Sequence, residues 1–202
     1  MAAKSTLTNM ALCLTAVCLL CSALLGVVYS MTAEPIKQAE KQKLVSSLRE
    51  VLPEGSEISD KVCIRKHGDD NYEYYTAKNP KYSEVVAVKS TVSTGFGGPL
   101  TVLVGICDGT VYNTKVLSHS ETPGLGAKCE DAQSPFIVQF KGLDPSKKKI
   151  GLKVDGGDLD AITASTITSR AYTKAVANAL SLFAGNKSVD APSGASSNYK
   201  EQ

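Results

Sequence analysis

Leu100-Thr-Val-Leu-Val-Gly-Ile-Cys107-Asp108-Gly109-Thr110-Val-Tyr-Asn-Thr-Lys-Val-Leu117 decides the fold. Residues 100–106 and 111–117 are rich in side chains that suit a pleated, half-buried surface, and Asp108-Gly109 between them marks a tight hairpin turn. Strands joined by so short a turn run antiparallel. The runs at 62–66, 72–77 and 84–92 have the same character and extend the sheet upstream. Downstream, 127–132 reads as helical, and 136–140 and 147–154 read as further strands. Tyr172, Ala175, Val176, Ala179, Leu180 and Phe183 then recur at the spacing of one buried helix face. Gly185 is expected to close that helix, leaving 186–202 as a loose tail.

At the other end, residues 5–33 contain no charged side chain, and 10–31 are dominated by Leu, Ala, Val and Cys. A helix of about 20 such residues spans the hydrocarbon core of a bilayer. The apolar region of a cleaved signal peptide is shorter, about 7–15 residues, and no small-x-small cleavage site ends this run. A single membrane anchor is the expectation. Residues 33–52 read as a helix continuing beyond it, with Ile36, Leu44, Leu48 and Val51 as its stripe, Pro35 in the first turn after a break, and Pro53-Glu54-Gly55 at its end. The chain therefore divides into a tail and transmembrane anchor (1–33), a juxtamembrane helix (34–55), one α+β domain (56–185) with a twisted, largely antiparallel sheet packed by helices, and a flexible tail (186–202).

Hydrophobic residues make up 43% of the chain and charged ones 21%, too apolar a mixture for disorder. The net charge of +2 provides no basic field, which excludes nucleic acid as the expected partner. Loop charge alone points the domain inward: only Lys4 precedes the span, whereas Lys37, Lys41, Lys43 and Arg49 follow it. Of the cysteines, Cys13, Cys18 and Cys21 lie in the apolar run. Cys63, Cys107 and Cys129 belong to the domain, cannot all pair with one another, and include no C-x-x-C, so buried thiols with at most one disulfide are expected.

Two stretches stand above this background. Hydroxyls at Thr163, Ser165, Thr166, Thr168 and Ser169 cluster where the final helix begins. A helix N-terminus offers unpaired N–H groups and the positive end of its dipole to a phosphate, although Ser and Thr are also ordinary capping residues. The second stretch is Ser118-His-Ser-Glu121-Thr122-Pro-Gly124-Leu125-Gly126, whose glycines let the backbone approach a flat ligand with Leu125 at the tip; as local chemistry it is equally a surface turn. Gly95-Phe96-Gly97-Gly98-Pro99 is a third glycine-rich turn, with an aromatic in it.

Together and in this order, these stretches resemble the FMN-binding domain family of the Rnf and sodium-pumping quinone-reductase complexes, over most of the chain. Asp160-Ala-Ile-Thr163-Ala164-Ser165-Thr166 is similar to the family's Asp-x-x-Ser/Thr-Gly-Ala-Thr signature, with Ala164 in place of Gly and Ser165 in place of Ala. The resemblance implies covalent FMN, esterified through its phosphate to Thr166, with Thr163, Ser165 and Thr168 in support. It also implies that Glu121, Thr122, Gly124 and Leu125 form the flavin loop, with Phe96 a further contact. The turn at 95–99 and Thr32-Ala-Glu-Pro-Ile36 after the span resemble the Rnf G branch more than the quinone-reductase C branch.

The function this implies is electron transfer, coupling ferredoxin and NAD to ion movement. The chain would act as a redox subunit among other membrane and redox subunits, anchored in a bacterial inner membrane with its domain on the outer side, against the loop-charge count. A separate flavin transferase, with FAD as donor, would attach the cofactor. No complete active site is expected on this chain: it has no Gly-x-Gly-x-x-Gly loop, no iron–sulfur cysteine spacing and no histidine-rich metal set, and its two histidines are His67 and His119. The C-type component of a sodium-translocating NADH:quinone reductase is the same-class alternative, and a cofactor-free anchored scaffold is the alternative of a different class.

Overall fold

The computed structural model describes residues 7–67 and 70–189, with the side chains of 60–71 and 186–189 outside that description. The Cys63 and His67 side chains and the tail from 190 onward therefore lie outside the described residues. Two compact units, Met1–Leu44 and Val45–Gln202, make up the chain. The first consists of most of helix α1 (Leu7–Val51), which is long and apolar enough in its N-terminal part to cross a membrane. Its leucines and valines are exposed, Leu12 at 70% and Leu25 at 70%, a contiguous apolar surface of the kind that marks a membrane or protein contact. The expected break at Pro35 is absent: Pro35 sits inside α1. A proline inside a helix removes one N–H bond and crowds the preceding turn, but does not by itself end the helix.

The second unit is α+β. Strands β1 (Glu57–His67), β2 (Asp70–Asn79), β3 (Tyr82–Val92), β4 (Leu100–Cys107) and β5 (Thr110–Ser118) form one sheet in chain order, each antiparallel to the next. Asp108 and Gly109 both take positive φ, 49° and 87°, as the hairpin turn requires. Every residue of β4 is buried, because the sheet is covered on both faces. On one face Val86, Val88, Val102, Val104 and Ile106 pack with helix α3 (Thr166–Val189), which contributes Tyr172, Ala175, Val176, Ala179, Leu180 and Phe183, the stripe that periodicity picks out. Burying each large apolar side chain is worth about 1.5–3 kcal/mol, so this face holds the domain together. Leu48, Val51 and Leu52, at the end of α1, are buried as well.

Three expectations fail downstream of the sheet. Residues 136–140 are not a strand: Pro135–Val138 form a short helix, α2, with Pro135 in its first turn. Phe136 packs edge-on against Tyr172 and Phe140 packs tilted against it, ring centroids 5.3 and 5.0 Å away, so these rings plug the end of the core instead of lying across a sheet. Residues 147–154 are not a strand either. Asp144 accepts the Ser146 N–H and O–H, the Lys149 N–H donates to Asp158, and the segment folds back until Leu152 and Leu159 form a single isolated bridge. Lastly, Gly185 does not close α3, which runs on to Val189. Glycine ends a helix by adopting a left-handed backbone, and Gly185 is not among the positive-φ residues.

Candidate functional site

Antiparallel register gathers the segments of interest at one end of the sheet. Val92 pairs with Leu100, so the turn between β3 and β4 leaves from and returns to that end. Thr101 pairs with Ser118, so the chain after β5 departs from the same end. The two loops press together there: a side chain at Gly97 would collide with the Ser120 backbone carbonyl, so only glycine allows the approach.

Between these loops and the start of α3 lies a cavity of about 340 Å³. Phe96, Glu121, Thr122, Leu125, Gly126, Ala164, Ser165, Thr166, Ile167 and Thr168 line it. Seven of the residues expected at a site are thus brought together: Phe96, Glu121, Thr122, Leu125, Ser165, Thr166 and Thr168. Thr163 is exposed and does not line the cavity, and neither does Gly124, whose φ of 76° makes it a turn residue.

Glu121 ties the three walls together. Its side chain is buried. Oε1 accepts the Phe96 N–H at 2.9 Å and Oε2 accepts the Thr168 O–H at 2.7 Å. Hydrogen bonds to a charged acceptor are the stronger kind, about 1.5–3 kcal/mol each. Gly126 lies against this contact, where a Cβ would come within 2.7 Å of Oε2 and 2.8 Å of Thr168 Oγ1. The carboxylates of Glu121 and Glu130 also act on Cys129: burial first, and then these charges, push its thiol up to about 12, which leaves it inert as a nucleophile. Cys107 is likewise buried and free, so these two cysteines do not pair.

The hydroxyl cluster separates by role. Ser169 Oγ donates to the Ser165 carbonyl and accepts the Ile162 N–H, clipping the chain into the helix. Thr168 is committed to Glu121. Thr166 is half-buried on the cavity wall, and among the described residues its hydroxyl has no protein partner. The Ser169 N–H bond to Ser165 O, 3.0 Å, is the first of the i to i−4 type in α3, so the amides of Thr166, Ile167 and Thr168 have no acceptor within the helix. They and the positive end of the helix dipole make a corner whose chemistry suits an anion. Among the described residues, no lysine or arginine lines the cavity. Ala164, just before this corner, holds φ at 62°, a left-handed backbone that an L-residue adopts at a cost.

Opposite the polar corner, the rim is apolar and faces solvent: Phe96 is 67% exposed, Ile167 48% and Leu125 43%. Such a rim suits the faces of a flat, largely apolar ligand. Of the lining residues, Ile167 is the one that the sequence pattern did not single out. Ile167 lies outside the buried stripe of α3, so periodicity marks it only as exposed; its adjacency to Thr166 was the available signal.

Comparison with known proteins bears on both parts of the chain. Residues 95–181 match the model of the FMN-binding domain, and residues 1–51 match that of the RnfG N-terminal region. The chain is 33% identical to the G subunit of the ion-translocating oxidoreductase complex of Shewanella baltica (strain OS223), over 84% of this chain and 85% of that protein. It is 34% identical to the corresponding G subunit of Vibrio atlanticus (strain LGP32), over 78% and 80% of the two chains. With that of Shewanella piezotolerans (strain WP3 / JCM 13877) the identity is 34%, over 91% and 92%.

Proposed function

The chain belongs to the RnfG family, the G subunits of ion-translocating oxidoreductase complexes, and from that premise we propose that it carries FMN, joined through its phosphate to Thr166, as an electron-transfer subunit of such a complex. The observation that carries the reading is the unpartnered Thr166 hydroxyl, set between an anion-binding helix start and an apolar rim. The residues fit the group. The free amides of 166–168 suit a phosphate, and Phe96, Leu125 and Ile167 suit a ring system. At about 340 Å³ the cavity is near the small end of ligand sites, which run from about 300 to 1,000 Å³. It would enclose part of the cofactor and leave an edge open for exchange with a neighbouring redox centre.

Covalent attachment is supported by what the cavity lacks. With no cationic side chain among the described residues on its wall, the corner offers a phosphate amides and a helix dipole, a weak grip for a dissociable ligand. In the attachment we propose, the Thr166 hydroxyl displaces AMP from the FMN phosphate of FAD, forming a phosphoester bond as the phosphoanhydride bond to AMP breaks. Its proton goes to a base on a separate flavin transferase. Among the described residues, the one carboxylate on the cavity wall is Glu121, and both its oxygens are occupied by Phe96 and Thr168. When bound, FMN supplies electron-transfer chemistry. This chain's residues hold the phosphate, shield part of the ring from water and set the polarity around it.

We further propose that α1 anchors the chain in a bacterial inner membrane, that the domain faces outward, and that the complex couples ferredoxin and NAD to ion transport, with its translocase and dehydrogenase sites on other subunits. The deciding experiment is peptide mass spectrometry after co-expression with a flavin transferase. Thr166→Ala should abolish covalent FMN, whereas Thr163→Ala and Ser165→Ala should retain some. FMN found on another residue would overturn the assignment.

A further inference from the structure

Behind the Glu121 carboxylate lies a group that the redox reading does not use. The His119 side chain is 15% exposed, and its Nδ1 accepts the backbone N–H of Glu121 at 3.1 Å. An amide N–H only donates, so Nδ1 has to present a lone pair. The ring proton then resides on Nε2, 3.3 Å from Glu130 Oε2, where it donates to a carboxylate. The opposite tautomer would set N–H against N–H at one nitrogen and a lone pair against a carboxylate at the other. A doubly protonated ring would keep the first of these faults. Both contacts select the same state of the ring.

His119 and Glu130 also bracket the loop that presents Glu121, Thr122, Leu125 and Gly126 to the cavity, and their contact closes that loop across its base. Within it, the Thr122 carbonyl accepts N–H groups from Leu125 and Ala127, each at 3.2 Å. Holding the Glu121 backbone fixes the point from which its side chain reaches Phe96 N–H and Thr168 O–H.

We propose that His119, held as the Nε2–H tautomer by Glu130, is the positioning residue of the cavity, clasping the loop and aiming the Glu121 carboxylate at the Phe96 turn and the start of α3. His119 is not on the cavity wall and acts through Glu121. The link to flavin rests on the function proposed above; the clasp does not.

The test uses the full chain in detergent, without flavin transferase. The chain has two histidines, so ¹⁵N-histidine labelling with His67→Gln leaves the His119 imidazole alone in the spectrum. The expected signature is the neutral Nε2–H form. An Nδ1–H form, a doubly protonated ring or rapid averaging would overturn the proposal. Amide exchange then reads the consequence. His119→Leu should speed exchange of the Phe96 amide about tenfold, the order of one lost hydrogen bond. His119→Asn, whose carboxamide oxygen can stand in for Nδ1, should keep it slow. An unchanged Phe96 rate in folded His119→Leu refutes the clasp. If that variant does not fold, Glu130→Ala at a half-exposed position gives the same readout, with faster exchange expected and no change refuting. Flavin loading is measured separately by intact mass with the transferase present; its absence would sink the redox reading and leave the exchange result standing.

Discussion

Replacing Glu121 by alanine and by glutamine tests whether one carboxylate holds the three walls of the cavity. Alanine removes both hydrogen bonds, from Phe96 N–H and Thr168 O–H, and leaves Thr168, which is 1% exposed, with an unmatched hydroxyl. Two bonds to a charged acceptor at the low end of about 1.5–3 kcal/mol each amount to about 3 kcal/mol. Glutamine keeps both contacts in number. Its Oε1 accepts the Phe96 N–H, while its amide donates to Thr168 Oγ1, which turns from donor to acceptor. Only the assistance of the charge is lost, about half of each bond, or about 1–1.5 kcal/mol in all. For a domain of this size 1 kcal/mol moves the melting point by about 2–4 °C. The expected falls are therefore about 6–12 °C for Glu121→Ala and about 2–6 °C for Glu121→Gln. The chain has no Trp and eight Tyr, several of them buried, so tyrosine emission of the full chain in detergent reports the transition. Equal falls for the two variants would refute the two-sided role of the carboxylate. No fall in either would show that the walls are held by something else.

Ala164→Gly should stabilise the domain by about 0.5–1 kcal/mol, since a left-handed backbone costs an L-residue about 1–2 kcal/mol and glycine gives back about 0.5–1 kcal/mol through its freer unfolded state; a lower melting point would contradict the strain at φ 62°. Burial pushes the Glu73 carboxyl up, but hydrogen bonds from Lys89 and Tyr75, with the lysine charge, hold it below its ordinary value. A carboxyl lowered on folding contributes stability that is present above its unfolded value of 4.5 and lost as the pH falls through the folded value. Lys89→Met should therefore be less stable than the parent at pH 7, with the difference closing as the pH falls below 4.5; a difference independent of pH in chemical denaturation would refute the pairing. Leu125→Ala should keep covalent FMN on Thr166 while changing flavin fluorescence and midpoint potential, because the contact, worth about 1.5–3 kcal/mol if fully buried, acts on the ring and not on the phosphate. Fluorescence and potential both matching the parent would make Leu125 a turn residue only.

Much of the fold was legible because its signals are local. The Asp108-Gly109 turn, the alternating apolar runs and the stripe from Tyr172 to Phe183 each follow from residues a few positions apart. Where the reading failed, tertiary packing outweighed local pattern. Phe136 and Phe140 look like strand residues by composition, yet their place is set by Tyr172, more than thirty positions away. Leu152 and Leu159 are buried by a folded loop whose turns depend on Asp144 and Asp158, which composition does not single out.

The candidate site divides along the same line. By itself the sequence determined an apolar segment long enough to span a membrane, the five runs that form the sheet with a tight hairpin between the last two, and a cluster of hydroxyls opening the last helix, since spacing along the chain is enough to specify each. Which hydroxyl stays without a partner was decided only in three dimensions. Thr168 is taken by Glu121, 47 residues away, and Glu121 is also bound to Phe96, 25 residues away. Contacts at such separations leave no periodicity in a sequence. They exist because antiparallel register brings the β3–β4 turn and the end of β5 to one end of the sheet, and because Gly97 and Gly126 carry no side chain to hold the loops and the helix apart.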